Sequence, residues 1–257
     1  MRVHLCQLAP SYERSTDDLR AEVDALLRAQ AGADLVVLPE LWPQGGFTYQ
    51  RWAAEAEPVD GPTFAVVSAA ARAIGAHVHG GSIVERDAEG RLYNTALLVG
   101  PDGGLLATYR KIHLFGFSAG EPALMTAGTD LVVADVGGLT VGLATCYDLR
   151  FPEMFRALLD RGAQAFVLPA AWPAPRVAHW RLLAQARAVE EQAYVVATNT
   201  AGVQAGLAMG GGSMVVDPWG VVVAEAGRDE EVLVADLDPA LVAKTRSEFP
   251  VLADRRL

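Results

Sequence analysis

Cys146 stands between an apolar, β-rich segment and the start of a helix, a position that suits a nucleophile. Residues 139–144 are predicted to form a buried strand, and a helix is predicted to begin at Pro152. A thiol at such a strand-to-helix corner lies near the positive end of a helix, where backbone N–H groups point at whatever the sulfur attacks. The polar residues Tyr147 and Asp148 follow directly and argue against a cysteine that only fills the core. Cys146 is therefore the candidate nucleophile.

Three other ionisable residues stand where apolar strands are predicted to end. Glu40 closes LVVLPE, Lys111 lies in TYRKIHLF, and Glu121 follows the glycine-bearing loop GFSAG. Each residue alone has an ordinary explanation, since Glu40 and Lys111 could be solvated at strand exits and Glu121 could cap a loop. Ionisable groups at strand ends are, however, placed to converge above a sheet. We therefore expect Glu40, Lys111 and Glu121 to meet Cys146.

Composition limits the partners that such a site could serve. The chain has 257 residues, of which 51% are hydrophobic and 20% are charged, and its net charge is −10. That charge disfavours nonspecific binding of nucleic acid or of an anionic membrane, so a small-molecule substrate is expected. The sequence opens without a secretory signal pattern and contains no run of 18 apolar residues, which predicts a cytoplasmic protein. The two cysteines, Cys6 and Cys146, lack the spacing of a zinc site and are expected to be reduced, with Cys6 inert in the core.

The predicted elements form two similar halves. DLVVLPE and QAFVLPA are both apolar strands that end in Leu-Pro after a helix, and each precedes a Trp-Pro pair, at Trp42 and at Trp172. HVHGGSIVER, LYNTALLVG and LLATYRKIHLF are three strands without intervening helices, so the sheets are predicted to be mixed. No linker or charge block divides the chain. We predict one domain over residues 1–257 with a four-layer α-β-β-α sandwich fold.

These motifs together resemble the nitrilase superfamily of carbon-nitrogen hydrolases. PELW, YRKIHLF, the segment around Glu121 and CYDLRFPE occur in the expected order, together with GGSIVE, LYNTALLVGPDG, HW…ARAVEEQ and VVDPWG. Within that superfamily, the motif sequences are similar to those of the Nit-type amidase branch, which includes the ω-amidases. The resemblance implies an αββα sandwich, a Cys-Glu-Lys triad, a second supporting glutamate, and a homodimer or higher homo-oligomer that forms through the αββα faces. It implies no metal and no organic cofactor.

The chemistry of the residues agrees with that resemblance. A free thiol is only a few per cent ionised at neutral pH, so Cys146 needs a base, and Glu40 can take the proton and later return it to the departing ammonia. Lys111 and the backbone N–H of Tyr147 are placed to stabilise the oxyanion that forms on the carbonyl oxygen. Water activated by Glu40 would then hydrolyse the thioester. Glu121 would hold Lys111 and the substrate in position.

The histidines and one glycine cluster have weaker functional interpretations. His77 and His79 alternate on one strand and could share a metal, but no third ligand is evident and packing is the expected role. A Cys-His hydrolase would need His113 or His179 beside Cys146, and the sequence leaves that alternative open. Residues 210–212, GGG, match neither a P-loop nor a dinucleotide fingerprint, so we expect a mobile loop near the pocket.

The substrate is the least constrained part of the prediction. Relative to the ω-amidases, the segment between Lys111 and Glu121 is shorter, and Ala171 replaces an Asn before Trp-Pro. A carboxylate on the substrate would need an arginine, for which Arg176 and Arg150 are candidates, although Arg150 could instead pair with Glu153. Two aromatic residues are expected to form apolar walls of the pocket: Phe117 and Trp172.

We therefore expect a thiol amidohydrolase that releases ammonia from a small aliphatic amide, with ω-amides of 2-oxo dicarboxylic acids favoured. The alternatives within the same chemistry are other amides, N-carbamoyl amino acids, deaminated glutathione and nitriles. Outside it, the chain could be a catalytically silent binding protein on this scaffold. A thiol redox protein is disfavoured because Cys146 has no resolving cysteine nearby.

Overall fold

A computed structural model describes residues 1–116 and 119–256 as two six-stranded sheets with helices outside them. The strands are β1 (Arg2–Gln7), β2 (Leu35–Val37), β3 (His77–Arg86), β4 (Leu92–Val99), β5 (Leu105–Arg110), β6 (Val133–Val136), β7 (Leu139–Leu143), β8 (Ala165–Pro169), β9 (Tyr194–Thr198), β10 (Val203–Gln204), β11 (Leu207–Ala208), β12 (Met214–Val216), β13 (Val222–Glu225) and β14 (Glu231–Asp236). The helices are α1 (Thr16–Arg28), α2 (Tyr49–Glu55), α3 (Pro62–Ile74), α4 (Glu121–Leu124), α5 (Pro152–Asp160), α6 (Val177–Glu191) and α7 (Ala240–Glu248).

The two sheets have matching topologies. The first has the order β14-β1-β2-β3-β4-β5 and the second has the order β13-β12-β9-β8-β7-β6. Each contains a parallel core of three strands, β1-β2-β3 and β7-β8-β9, with antiparallel strands on both sides. The prediction of mixed sheets in an α-β-β-α sandwich is confirmed. The two halves seen in the sequence correspond to the two sheets, except that β14 from the C-terminal half joins the first sheet.

Side chains from the inner faces of both sheets form the central core. Leu5 and Val37 of the first sheet belong to the same buried cluster as Leu143 and Val167 of the second. Alternate residues of the first sheet point outward and pack under α1 and α3, as Val78 does. The parallel strands are therefore covered on both faces, which explains why their sequences are almost continuously apolar.

The helix boundaries follow from local signals. The Ser15 side chain accepts a hydrogen bond from the backbone N–H of Asp18 and so caps α1. Proline stands at the first position of α3 and of α5, where its missing N–H costs nothing. Gly75 ends α3 in the left-handed conformation. The predicted start of a helix at Pro152 is where α5 begins.

Three short elements and one loop depart from the sequence prediction. α2, α4 and the β10-β11 hairpin were not predicted from the sequence, and α4 begins directly after the GFSAG loop. Residues 210–212 are held in place by backbone hydrogen bonds to Trp172, Thr200 and Gly227, so the expectation of a mobile loop is not supported. No helix in the described part of the chain has the length and apolarity that crossing a bilayer requires.

Candidate active site

Glu40, Lys111, Glu121 and Cys146 line one cavity of about 250 Å³. Lys111 lies between the two carboxylates, with its Nζ 2.7 Å from Glu40 Oε1 and 2.8 Å from Glu121 Oε2. All four side chains are at least nine-tenths buried. The structure thus brings together the four residues that the sequence analysis selected.

A bulge in β3 fixes the backbone that carries Glu40. Glu40 follows β2, and Leu38 still pairs with that sheet through its N–H to the carbonyl of His79. Gly81 has φ +66°, and a Cβ at this residue would lie 2.0 Å from the carbonyl oxygen of Pro39. Only glycine allows β3 to pass so close to the Pro39–Glu40 corner.

The Glu40 carboxylate also receives a hydrogen bond from the second half of the chain. The backbone N–H of Ala171, which follows β8, donates to Glu40 Oε2 over 2.8 Å. Gly46 packs against the Ala171 side chain, and the contact requires glycine there, since a Cβ at Gly46 would lie 2.8 Å from the Ala171 Cβ. The two Leu-Pro corners of the chain therefore meet at the Glu40 carboxylate.

Asn94, on β4, is a site residue that the sequence analysis missed. Its Nδ2 donates to Glu40 Oε1 over 2.8 Å and to Glu121 Oε1 over 2.6 Å. Its backbone carbonyl accepts the N–H of Lys111 over 2.8 Å. The available signal was an amide in an otherwise apolar strand, LYNTALLVG, on the same face as Leu98 of the core.

The ionisable groups of the buried cluster shift one another's pKa values. Burial raises the pKa of Glu121, and Glu40 raises it further, although Lys111 opposes both effects. Burial alone would lower the pKa of Lys111, but Glu121 and Glu40 outweigh burial and hold that pKa well above its ordinary value. Lys111 is therefore a permanent cation at neutral pH, as a group that stabilises an oxyanion must be.

Cys146 begins a tight helical turn, Cys146–Arg150, directly after β7, and has a positive φ of 46°. Such backbone strain in a non-glycine residue is typical of functional sites. Burial, and next the Glu40 carboxylate, raises the pKa of Cys146 well above its ordinary value. The resting sulfur is a protonated thiol, so the nearby helix terminus does not ionise it and a base is required.

Asp148 anchors the turn that presents Cys146. Its carboxylate accepts hydrogen bonds from the Thr145 N–H at 2.8 Å and from the Tyr109 hydroxyl at 2.7 Å. It also accepts the N–H of His113 at 3.0 Å and lies 2.8 Å from the Nδ1 of that ring. His113 is thus engaged with Asp148, and His179 contacts Arg150. Neither histidine is among the residues that line the two cavities around Cys146, so the geometry does not support a Cys-His pair.

The backbone N–H of Tyr147 adjoins the sulfur and has no acceptor within the described residues. It is therefore free to donate to an oxygen that develops charge, as the sequence analysis expected.

A second cavity of about 230 Å³ opens beside Cys146 and has aromatic walls and two arginines. The Arg150 guanidinium lies 4.7 Å from the centre of the Trp172 ring, and Arg176 lies 5.4 Å from the centre of Phe115. The expected alternative of an Arg150–Glu153 ion pair is wrong, because Arg150 turns toward Trp172 and His179 instead. Within residues 1–116 and 119–256, no carboxylate pairs with Arg150 or Arg176. Of the predicted substrate contacts, Trp172 and Arg176 thus reach the site, and Phe117 lies outside the described residues.

The histidines of β3 do not form a metal site. His79 is fully buried, and burial lowers its pKa to about 4. The described residues contain no cluster of three or more histidine, cysteine or acidic side chains that could hold a metal ion.

Residues 2–247 match the carbon-nitrogen hydrolase family. The chain is 42% identical to 2-oxoglutaramate amidase from Paenarthrobacter nicotinovorans, over 93% of this chain and 84% of that protein. It is 37% identical to the human omega-amidase NIT2, over 99% of this chain and 95% of that protein. Among solved structures, XC1258 of Xanthomonas campestris, described as a CN-hydrolase superfamily protein, superposes with a TM-score of 0.93 at 32% identity, covering 100% of this chain and 97% of that one. The nitrilase-superfamily protein Nit3 of Saccharomyces cerevisiae superposes with a TM-score of 0.88 at 31% identity, covering 100% and 97%.

Proposed function

Because the chain belongs to the carbon-nitrogen hydrolase family, we propose that it is a cysteine-dependent amidase that releases ammonia from the ω-amide of a 2-oxo dicarboxylic acid. The single observation that carries the reaction class is the buried cluster of Glu40, Lys111 and Glu121 in one cavity with the Cys146 thiol. The substrate class is supported by the 2-oxoglutaramate amidase and omega-amidase relatives and by two arginines without carboxylate partners in the described structure.

Acylation begins when Glu40 takes the thiol proton of Cys146 as the sulfur attacks the amide carbonyl carbon. The carbonyl oxygen gains the negative charge, which the Lys111 ammonium and the Tyr147 N–H stabilise. When the intermediate collapses, Glu40 returns the proton to the amide nitrogen and ammonia leaves. A thioester remains on Cys146.

Deacylation uses the same groups in the same roles. Glu40 removes a proton from water, the hydroxide attacks the thioester carbonyl, and Lys111 with the Tyr147 N–H again stabilises the oxyanion. The C–S bond then breaks, the carboxylic acid leaves, and the proton returns to the sulfur. Glu121 stays bonded to Lys111 throughout and holds the ammonium in place, a supporting role. No step calls for a metal or an organic cofactor.

Arg176 is our candidate for the anchor of the substrate carboxylate, and Arg150 is its rival in the same cavity. An arginine pairs with a carboxylate through two parallel hydrogen bonds, and neither guanidinium has such a partner in the described structure. Arg176→Met should raise the KM for 2-oxoglutaramate by about 10- to 100-fold and leave hydrolysis of a neutral aliphatic amide unchanged. If the KM for 2-oxoglutaramate rises in Arg150→Met and not in Arg176→Met, Arg150 is the residue that binds the substrate carboxylate.

The function is tested by ammonia release from a panel of substrates. The panel contains 2-oxoglutaramate, neutral aliphatic amides, N-carbamoyl amino acids, deaminated glutathione and nitriles. We expect the highest kcat/KM with 2-oxoglutaramate and loss of all turnover in Cys146→Ala. Turnover that survives Cys146→Ala would refute the mechanism, and binding without turnover across the panel would indicate a binding protein.

We also propose that the protein is a homodimer. Four exposed or partly exposed apolar side chains form a surface patch, which we call the tryptophan patch: Val189, Trp219, Phe249 and Val251. The Trp219 and Phe249 rings lie 6.2 Å apart and continue one apolar surface along α6. Aromatic side chains on an exposed apolar patch are typical of a protein interface.

The cytoplasm is the compartment that we propose for this enzyme. Cys6 and Cys146 are both free thiols, and the reaction needs Cys146 in the reduced state. Measurement of the protein in cell fractions would test this localisation.

A further inference from the structure

Asn94 contacts both glutamates of the site, and no step of the mechanism above uses it. We propose that Asn94 is a positioning residue, which engages Glu40 Oε1 so that Glu40 Oε2 takes the thiol proton, and which keeps Glu40 and Glu121 ionised side by side. This inference rests on the proposed amidase function.

The orientation of the Asn94 amide follows from its partners. Nδ2 lies 2.8 Å from Glu40 Oε1 and 2.6 Å from Glu121 Oε1. Ionised carboxylates only accept hydrogen bonds, so the nitrogen end of the amide must face them, with one N–H for each. Both bonds are charge-assisted and buried, which makes them strong.

Asn94 and Lys111 bridge the same two oxygen atoms. Lys111 Nζ lies 2.7 Å from Glu40 Oε1 and 3.0 Å from Glu121 Oε1, so each of these oxygens receives two donors. Glu40 Oε2 receives one bond within the described structure, from the Ala171 N–H. Oε2 therefore keeps a lone pair free for the thiol proton, whereas Oε1 has none to spare.

A neutral donor suits this position because of the charges around it. The ionisable groups that face the cluster are Glu40, Glu121, Lys111, Cys146 and Tyr49. Moving the thiol proton from Cys146 to Glu40 leaves the net charge of this cluster unchanged, so the transfer depends on how well Glu40 accepts a proton. A second cation at residue 94 would stabilise the Glu40 carboxylate and weaken Glu40 as a base. The Asn94 amide supplies two donors and leaves the charge unchanged.

The carbonyl end of the Asn94 amide does not stabilise the fold. Asn94 is 1% exposed, and its Oδ1 has no hydrogen-bond partner in the described part of the chain. A buried acceptor without a partner destabilises the fold, and an apolar residue of the same shape would avoid that cost. We infer that Asn94 is retained for its two donors.

The test compares Asn94→Leu and Asn94→Asp with Thr95→Val. Thr95 is the next residue on β4 and is equally buried, but its hydroxyl donates to Glu85 on the opposite face of the sheet. Two pH profiles are measured: kcat and KM for 2-oxoglutaramate, and the rate at which iodoacetamide alkylates Cys146. The alkylation assay needs no substrate, and it reports whether Glu40 can accept the thiol proton.

Asn94→Leu should lower kcat by about 10- to 100-fold with little change in KM. Loss of two donors makes the ionised carboxylates less stable, so the acidic limb of both profiles should move to higher pH by about one unit. Asn94→Asp adds a third acid to the cluster and should move the limb at least as far. Thr95→Val should leave both limbs unmoved.

An acidic limb that stays in place in both Asn94 variants would overturn the positioning role, even if kcat falls. Should one variant fail to fold, as judged by circular dichroism, the other variant still decides the question. A wild-type protein that hydrolyses no member of the substrate panel would refute the proposed function. The alkylation profiles would still test the role of Asn94 in that case.

Discussion

The Lys111 ammonium lies between the carboxyl groups of Glu40 and Glu121 in one buried site. The ammonium contacts both carboxylates within 3 Å, and the side chain is 1% exposed. Removal of one partner from a buried ion pair leaves an uncompensated charge in the interior. The resulting loss of folding stability is far larger than that caused by breaking an exposed ion pair. In the proposed mechanism the same cation also stabilises the oxyanion, so it would serve both structure and chemistry.

Lys111→Met should abolish ammonia release and destabilise the protein by about 3 to 5 kcal/mol at pH 7, measured by urea unfolding. The pKa of Lys111 is raised in the folded state, so its stabilising contribution is complete below its unfolded pKa and is lost as pH rises through the folded pKa. The defect should therefore persist across neutral pH.

Lys244→Met is the matched control, since the Lys244 side chain is 64% exposed and forms only a surface pair. Equal unfolding free energies for the two variants would contradict the claim that the buried ion pairs of Lys111 stabilise the fold.

The sequence was sufficient to select the ionisable residues of the site. Glu40, Lys111 and Cys146 follow the ends of strands, and strand ends at one edge of a sheet converge. Asn94 lies within a strand, where a single amide looks like any tolerated polar residue, so its role emerged only from distances. Of the two partners that the sequence left open for Arg150, Glu153 is not the one it contacts, because Trp172 is near Arg150 in space although distant in sequence.

The β3 bulge is the element that sets the position of Glu40. Gly81 passes so near Pro39 that an added Cβ would lie 2.0 Å from its carbonyl oxygen. Gly75, at the end of α3, has almost the same φ, +67° against +66°, but an added Cβ there meets no atom within 4 Å. Substitution of either glycine therefore introduces similar backbone strain, but only substitution of Gly81 should displace the Pro39–Glu40 corner.

Gly81→Ala should lower kcat/KM by about 100-fold or more, because a shift near 1 Å at the base is enough to do so. Both Gly81→Ala and Gly75→Ala should lose about 1 kcal/mol or more of stability from the left-handed conformation. Gly75→Ala should keep full activity. Ammonia release and thermal unfolding of both variants would check these outcomes, and an active Gly81→Ala enzyme would mean that the corner tolerates displacement.

Long elements were predictable and short ones were not. The helices α1, α3, α5 and α6 each run for two turns or more, and the first three begin at a capping serine or at a proline that the sequence displays. The short α2 buries only Trp52, and the two-residue strands β10 and β11 are too short for any periodicity. Tertiary contacts decide such segments, as the hydrogen bond from Trp52 Nε1 to the Gly45 carbonyl shows.

At the scale of the whole molecule, the site exists only because the two halves meet. The first half supplies Glu40, Asn94, Lys111 and Glu121, and the second supplies Cys146 and the Ala171 N–H that binds Glu40. The two sheets share one core cluster, so neither half is expected to hold the reacting groups alone. The same architecture leaves the outer face of α6 without cover in a single chain.

The tryptophan patch on that outer face should join two copies of the chain. Trp219 is 46% exposed and Phe249 is 56% exposed, which is unusual for large aromatic side chains unless a partner covers them. Trp219→Asp should raise the dimer dissociation constant by about 30-fold or more, as expected for an aromatic residue central to an interface. Sedimentation equilibrium over a range of concentrations measures this constant.

Leu106→Asp provides the control, because Leu106 is 48% exposed on β5 and lies outside the patch. The Leu106→Asp variant carries the same added charge as Trp219→Asp, but outside the proposed interface. Its dimer dissociation constant should therefore equal that of the wild type. A monomeric wild type at micromolar concentration, or equal weakening by both variants, would contradict the interface. Since Cys146, the three ionisable residues that share its cavity and Asn94 belong to one chain, the separated Trp219→Asp monomer should retain the buried cluster and its amidase activity.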